Sequence, residues 1–523
     1  MRRMRKKDEY SVELENIETE ENAGSSETVK KSRKGRHAVE IIAVLLIFAV
    51  GMFSVYSVLS FKYIDSVFKM EMFYEQPEDS VDILVLGSSH SYQGINTAVL
   101  WEEYGYAAYD LCGAGQFIWN TYYYLEEALK TQSPKLIILD AYYLHVTDDY
   151  EDESFAIKNT YGMKWSQTKV DAIKASFDSD LYGLQYFFEI LQYHSRYSDV
   201  DETDFYPYQA NEAMYENHKG FYCYFYSTPV EEKDFSEVDY YNEMTEKVEE
   251  YYAKILELAY SENIPVIVVG IPFDADNYHV AFFRTGERIA NMFGYPFLNF
   301  LTDYKDELGL DYSTDFADSQ HLNYLGNTKL TRFLGDYISE NYSIPDRRGD
   351  ENYSSWEADA QIYYYQLENK NTTLITDISE YADTVANNRY QVIITKSSSA
   401  DGEQEMSSSE ISEFLSAVGI SQEEFTNGGV WIYSGGEQVY HNDCTEENFQ
   451  KSYSLSKYDD AMISTSYDDE GVMIIDVYMN KTEVTAADYG LNVYVYDTLT
   501  RTSVDSIGIN PNNFALSRID FYQ

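Results

Sequence analysis

The chain has 523 residues, 44% apolar and 16% aromatic, enough to build two or three domains with substantial cores, and this excludes a broadly disordered protein. Its 38 Lys and Arg face 89 Asp and Glu, a formal net charge of −51; residues 1–40 hold ten basic and nine acidic side chains, so the remaining 28 basic and 80 acidic residues carry −52. Such a surface repels phosphate backbones and anionic lipid, which argues against nucleic acid as a partner, and three scattered cysteines (Cys112, Cys223, Cys444) support neither a zinc site nor a disulfide framework.

In chain order, the first element is a basic run, Lys30–His37 (KKSRKGRH), followed by Ile41–Phe61 (IIAVLLIFAVGMFSVYSVLSF), which has no charge over the length that spans a bilayer core. The positive-inside rule predicts a cytoplasmic tail over 1–40, a signal anchor over 41–61 and an extracytoplasmic chain from Lys62. A cleaved signal peptide fits less well, because the basic region is too long and no small-x-small site follows.

From residue 81, apolar runs alternate with amphipathic stretches. Strands are predicted at Val81–Leu86, Ala107–Leu111, Lys135–Asp140, Pro265–Ile271 and Phe297–Phe300, and helices at Asn96–Tyr104, Gln116–Lys130, about 240–260 and Tyr324–Ser339. This rhythm predicts an α/β fold with a parallel sheet covered on both faces. It lapses over about 145–238, a Tyr-rich stretch expected to be a helical insertion near the site. Residues 346–384 read as a linker. Residues 385–523 read as a β-rich accessory domain, with strands at Tyr390–Thr395, Val430–Tyr433, Gln438–Tyr440, Val472–Tyr478 and Leu491–Tyr496 and a helix at Ser408–Val418; Gly435–Gly436 mark a hairpin.

Two clusters could do chemistry. Gly87–Ser88–Ser89–His90–Ser91 follows the first strand, where a serine on a sharp turn sits at the mouth of a parallel sheet but needs a base to become nucleophilic. Asp318 and His321 lie three apart on a loop before the last helix of the α/β part, a spacing that lets a carboxylate orient one imidazole nitrogen while the other faces a nucleophile; Asn323 is placed to cap that helix. Taken separately, each is also compatible with an ordinary turn or helix entry. Ser88 is the alternative nucleophile. His90 reads as a packing or substrate contact.

Together the two blocks resemble those of the SGNH (GDSL-like) hydrolase superfamily over roughly residues 80–342. DILVLGSSHS resembles its first block, with Ser89 at the nucleophile; Cys112–Gly113–Ala114–Gly115–Gln116 its second; and Asp318-x-x-His321 its last. The resemblance implies a flavodoxin-like three-layer αβα domain and a Ser89–His321–Asp318 triad. The oxyanion hole would be formed by backbone amides of Ser89 and of Gly113 or Gly115. The wording is similar to membrane-anchored proteins of surface-polysaccharide O-acylation (alginate O-acetylation and DltD-like proteins), which implies an O-acyltransferase or esterase acting on a cell-surface polysaccharide or acylated envelope polymer beside a membrane-bound O-acyltransferase. One departure stands out: the third block of the family supplies an oxyanion-hole Asn, whereas strand three here ends Leu139–Asp140–Ala141. Gly490–Asp497 and Val504–Ser506 loosely resemble an ILEI-type β module.

Two other functions compete with that expectation: a non-catalytic glycan- or partner-binding protein on the same fold, and a phospholipid or small-ester hydrolase, which the acidic surface disfavours. No GxGxxG or P-loop pattern is present, and no metal, nucleotide or other cofactor is expected.

Overall fold

The computed structural model describes residues 37–60, 64–177, 184–187, 190–201, 204–205, 219–397, 409–445, 448–469, 471–509 and 516–522. Residues 1–36 of the expected tail, parts of the expected insertion and Ser408 at the start of the expected helix lie outside the described residues. The chain divides into two compact units, 1–61 with 188–206, and 62–187 with 207–523.

Among the described residues one helix, α1 (His37–Leu59) in the first unit, is long and apolar enough to cross a membrane. Its apolar side chains from Val39 to Tyr56 are exposed. The guanidinium of Arg196 donates to the carbonyls of Leu59 and Ser60 at 2.8 and 2.7 Å, satisfying two acceptors that a helix C-terminus leaves open.

The second unit begins with a π-helical turn (Ile64–Phe68) and α2 (Lys69–Tyr74), then lays down a five-stranded parallel sheet. The strands are β1 (Ile83–Gly87), β2 (Ala108–Cys112), β3 (Leu136–Asp140), β4 (Val266–Gly270) and β5 (Phe297–Asn299), in the order β2-β1-β3-β4-β5. All are buried, and the period of two divides them cleanly. Leu84, Leu86, Ile137, Leu139, Val266 and Val268 enter one core; Ile83, Val85, Leu136, Ile138, Ile267 and Val269 enter the other.

Between β1 and β2 lie α3 (Ser89–Gly94) and α4 (Thr97–Tyr104); α5 (Ile118–Ala128) precedes β3. The first core is closed by α5, α8 (Glu246–Ser261) and α9 (Asn277–Met292), the second by α10 (Tyr324–Asn341). The insertion contributes α6 (Glu153–Tyr161) and α7 (Gln167–Ser176), but its last part, from 219, is irregular rather than helical. Helix α9 had no counterpart among the predicted elements, although Asp276 and His279 form a capping box at its start.

The stretch 346–384 is not a linker. Arg347 binds Asp82 through two nitrogens at 2.6 and 3.0 Å, and α11 (Ser354–Thr372) buries Trp356, Ala360 and Tyr363 in the first core. A mostly polar sequence hid three core contacts at helical spacing.

Beyond it, a six-stranded antiparallel sheet, β15-β14-β13-β6-β7-β8, faces a four-stranded one, β12-β11-β10-β9. The strands are β6 (Tyr390–Lys396), β7 (Gly429–Ser434), β8 (Glu437–Asn442), β9 (Gln450–Ser454), β10 (Asp460–Tyr467), β11 (Met473–Met479), β12 (Thr482–Glu483), β13 (Leu491–Asp497), β14 (Thr502–Ile509) and β15 (Leu516–Ile519). Ile393, Ile432 and Tyr494 of the larger sheet meet Ile463, Ile475 and Val477 of the smaller. The outer face of the larger sheet packs on helices Ile378–Val385 and Ser409–Val418.

Candidate active site

β1 ends at Gly87 with φ +154°, where a Cβ would fall 2.2 Å from Ser91 Oγ and 2.6 Å from Asp140 Cβ, so only glycine fits the turn. Ser88 then caps α3, its hydroxyl accepting from the amide of His90 at 3.4 Å. That hydroxyl is fully buried and lies 3.4 Å from Asp140 Oδ2 and 3.5 Å from His90 Nδ1, so Ser88 is turned into the protein. Ser89, the first residue of α3, is turned outward.

The second cluster is a loop whose ends, Phe316 and Leu322, form an isolated antiparallel bridge. Asp318 Oδ1 accepts from the amides of Gln320 at 2.7 Å and His321 at 3.0 Å, and both its oxygens lie 3.0 Å from His321 Nδ1. Asn323 caps α10 through Leu325 and Gly326, while its amide nitrogen donates to Thr314 O (2.6 Å) and Tyr226 O (2.9 Å). Thus Asp318 orients the imidazole, and Asn323 ties down the end of the loop that carries it.

His321 Nε2 lies 2.9 Å from Ser89 Oγ. A carboxylate only accepts, so Nδ1 carries the ring proton toward Asp318 and Nε2 is left to accept the hydroxyl proton of Ser89. Burial pushes the Asp318 carboxyl up, but hydrogen bonds from the His321 ring and the two amides outweigh it and hold the group below the usual carboxylate range. The structure therefore brings together Ser89, His321 and Asp318, 232 and three residues apart.

His90 is buried and stacked on Tyr142, with ring centroids 3.4 Å apart. Burial, with His321, His145 and His279 nearby, lowers its pKa well below the usual value, so it packs as a neutral ring. Tyr142 in turn donates to Gln320 at 2.5 Å, linking the end of β3 to the His321 loop.

Parallel pairing of Gly87 with Cys112 sets Gly113 just beyond β2, beside the Ser88 turn. A Cβ on Gly113 would lie 1.9 Å from Asn159 Oδ1, and one on Gly115 (φ +58°) 2.5 Å from the Phe155 ring. Between them the Ala114 amide is already engaged, with Asp65 O at 3.0 Å and Ser66 Oγ at 3.1 Å, and Asn159 Nδ2 donates to Ala114 O at 2.9 Å. Asn159 and Asp65 escaped notice in the sequence because their partner is a loop 45 residues or more away.

Where the resembled family has an amide, Asp140 accepts from Tyr142 N at 3.0 Å and contacts Ser88 Oγ. Burial pushes its carboxyl up to about 7, against the hydrogen bonds that lower it. The native carboxyl holds its proton more tightly than the unfolded one, whose ordinary value is 3.8, so its contribution to stability is complete below about pH 4 and is lost as pH rises to about 7. Asp140→Asn is expected to abolish this part of the pH dependence, roughly 4 kcal/mol between those limits, measured by denaturant unfolding across pH 4–8. An unchanged slope in the variant would refute the assignment.

Among the described residues no group of three or more His, Cys, Asp or Glu is placed to hold a metal ion. A scan of protein-family models finds none that matches the chain, and a search of curated proteins returns no significant relative.

Proposed function

We propose that this chain is a membrane-anchored, extracytoplasmic serine acyl-ester enzyme of the SGNH-hydrolase kind, acting on a cell-surface polysaccharide as an O-acyltransferase or esterase. The observation that carries the reading is the 2.9 Å contact between Ser89 Oγ and His321 Nε2 with Asp318 behind the ring. The strand order 2-1-3-4-5, which is that of flavodoxin-like sheets, and the place of Ser89 after β1 support it. The basic run before α1 supports a cytoplasmic N-terminus and a site outside.

In this mechanism His321 Nε2 takes the proton of Ser89 as Oγ attacks the acyl carbonyl, and Asp318 stabilises the imidazolium. Amides of Ser89 and of Gly113 or Gly115 receive the oxyanion. Collapse returns the proton to the departing alcohol and leaves an acyl-serine. Water then releases a carboxylic acid, or a sugar hydroxyl takes the acyl group, with His321 accepting the proton of the incoming hydroxyl and returning it to Ser89. A membrane-bound O-acyltransferase would supply the acyl group in the transferase case.

The test is labelling of the full chain in detergent with a fluorophosphonate probe. Labelling of the wild type that disappears in Ser89→Ala supports the enzyme. A folded, unlabelled wild type would favour a non-catalytic binding protein, the reading that Asp140 in place of an amide donor favours.

A further inference from the structure

Tyr222, Tyr224 and Tyr226 occupy alternate positions of the irregular run that begins at 219, so they project to one side while Phe221, Cys223 and Phe225 project to the other. The second side belongs to the core: Phe221 and Phe225 are buried, and both pack against Tyr363. The tyrosine side is only partly covered. Its ring centroids are 5.3 Å apart between Tyr222 and Tyr224 and 5.1 Å apart between Tyr224 and Tyr226, and the Tyr224 ring lies 6.2 Å from that of His321. A row of three aromatic rings therefore flanks the imidazole that faces Ser89.

The row is held by the elements that carry the site. Tyr222 N donates to Tyr92 O in α3, Tyr224 O accepts from Tyr324 N at the start of α10, and Tyr226 O accepts from Asn323 Nδ2. A wall so fixed loses little freedom when a ligand lies on it. Among the described residues Lys233 pairs with Asp274, Lys305 with Glu232 and Lys329 with Asp315, while the Asp318 side chain stays 42% exposed. With the outer chain at −52, a polyanion would be repelled from this surface.

We infer that the Tyr222–Tyr224–Tyr226 row is a subsite for consecutive sugar rings of an uncharged or amino-sugar glycan whose acyl ester reaches Ser89; this rests on the acyl-ester reading above. Tyrosine suits such a ligand because its ring face packs on the C–H face of a pyranose while the phenol meets sugar hydroxyls.

The experiment compares initial rates of the full chain, in detergent micelles, on O-acetylated xylo-oligosaccharides of two, four and six units and on acetylated oligogalacturonides. kcat/KM is expected to rise about ten-fold from the dimer to the hexamer. The anionic series should be slower. Tyr226→Ala should flatten the length dependence through KM, whereas Tyr226→Phe, which keeps the ring, should preserve it. Equal rates at all lengths, an unchanged KM for the hexamer in Tyr226→Ala, or a preference for the anionic series would overturn the subsite. Calorimetric binding of unacylated xylohexaose to the Ser89→Ala chain provides a readout that needs no turnover. Binding weakened about ten-fold by adding Tyr226→Ala supports the subsite, and no binding to Ser89→Ala overturns it. Fluorophosphonate labelling of the wild type reports on the Ser–His pair separately, so a failed subsite and a failed enzyme give different patterns.

Discussion

Asp318→Asn is expected to lower ester turnover by about 10⁴ with KM little changed, by putting the imidazole in the wrong tautomer. The amides of Gln320 and His321 both donate to Oδ1, so the asparagine oxygen must take that position and its NH2 the position of Oδ2. The NH2 then lies 3.0 Å from His321 Nδ1 and donates to it. That leaves the ring proton on Nε2, the atom that has to accept from Ser89 Oγ. His321→Ala, which removes the base altogether, should cost at least as much, and combining either change with Ser89→Ala should add little further loss, as for residues acting as one unit. Steady-state hydrolysis of p-nitrophenyl acetate, with folding checked by circular dichroism, measures this. An Asp318→Asn chain within ten-fold of the wild type would show that the loop geometry serves another purpose.

A large expected effect on stability also lies far from the nucleophile. Trp356→Ala should cost about 4 kcal/mol, the usual range for deleting a buried indole, measured by denaturant unfolding. Trp356 is 1% exposed, its Nε1 donates to Ala108 O at 3.0 Å, and Lys219 Nζ lies 4.1 Å above its ring. Ala108 opens β2, the edge strand of the parallel sheet, so the indole covers an acceptor that no neighbouring strand can reach. Truncation would leave both a cavity and an unpaired carbonyl. Trp356→Phe, which fills most of the volume but cannot donate, should cost roughly 1–2 kcal/mol. A loss below 1 kcal/mol in Trp356→Ala would mean that α11 is not part of this core.

The parallel strands were legible because each is buried on both faces, which writes a continuous apolar run such as Ile83–Leu86 into the sequence. Their boundaries shifted by one or two residues: β1 and β2 run one residue further, to Gly87 and Cys112, while β3 ends at Asp140 as expected. Ser89, Asp318 and His321 were legible as two short spacings; that they meet is tertiary information. Helix α11 was not legible, because Trp356 and Tyr363 sit among polar neighbours and composition alone reads as a linker. Strands β9 and β10 were missed for a related reason: Gln450–Ser454 alternates polar and half-buried residues, and Asp460–Tyr467 places Ala461 and Ile463 between exposed ones. Asp140 was visible as a departure from the resembled pattern, but its burial against the Ser88 turn was not.

The bonds from Asp65 O and Ser66 Oγ to the Ala114 amide bear on what becomes of the protein if it is shed. Residues 64–68 lead directly into α2, whose Met70 and Phe73 are fully buried. A protease cutting before Asp65 would free a chain that keeps the brace on the Gly113–Gly115 loop. A cut after Phe68, only a few bonds further on, would leave the brace on the N-terminal piece and free a chain whose loop has lost both partners. The choice of cleavage bond therefore decides whether the brace stays with the loop, and a fragment beginning beyond Phe68 would carry Ser89, Asp318 and His321 without the support that steadies their neighbour.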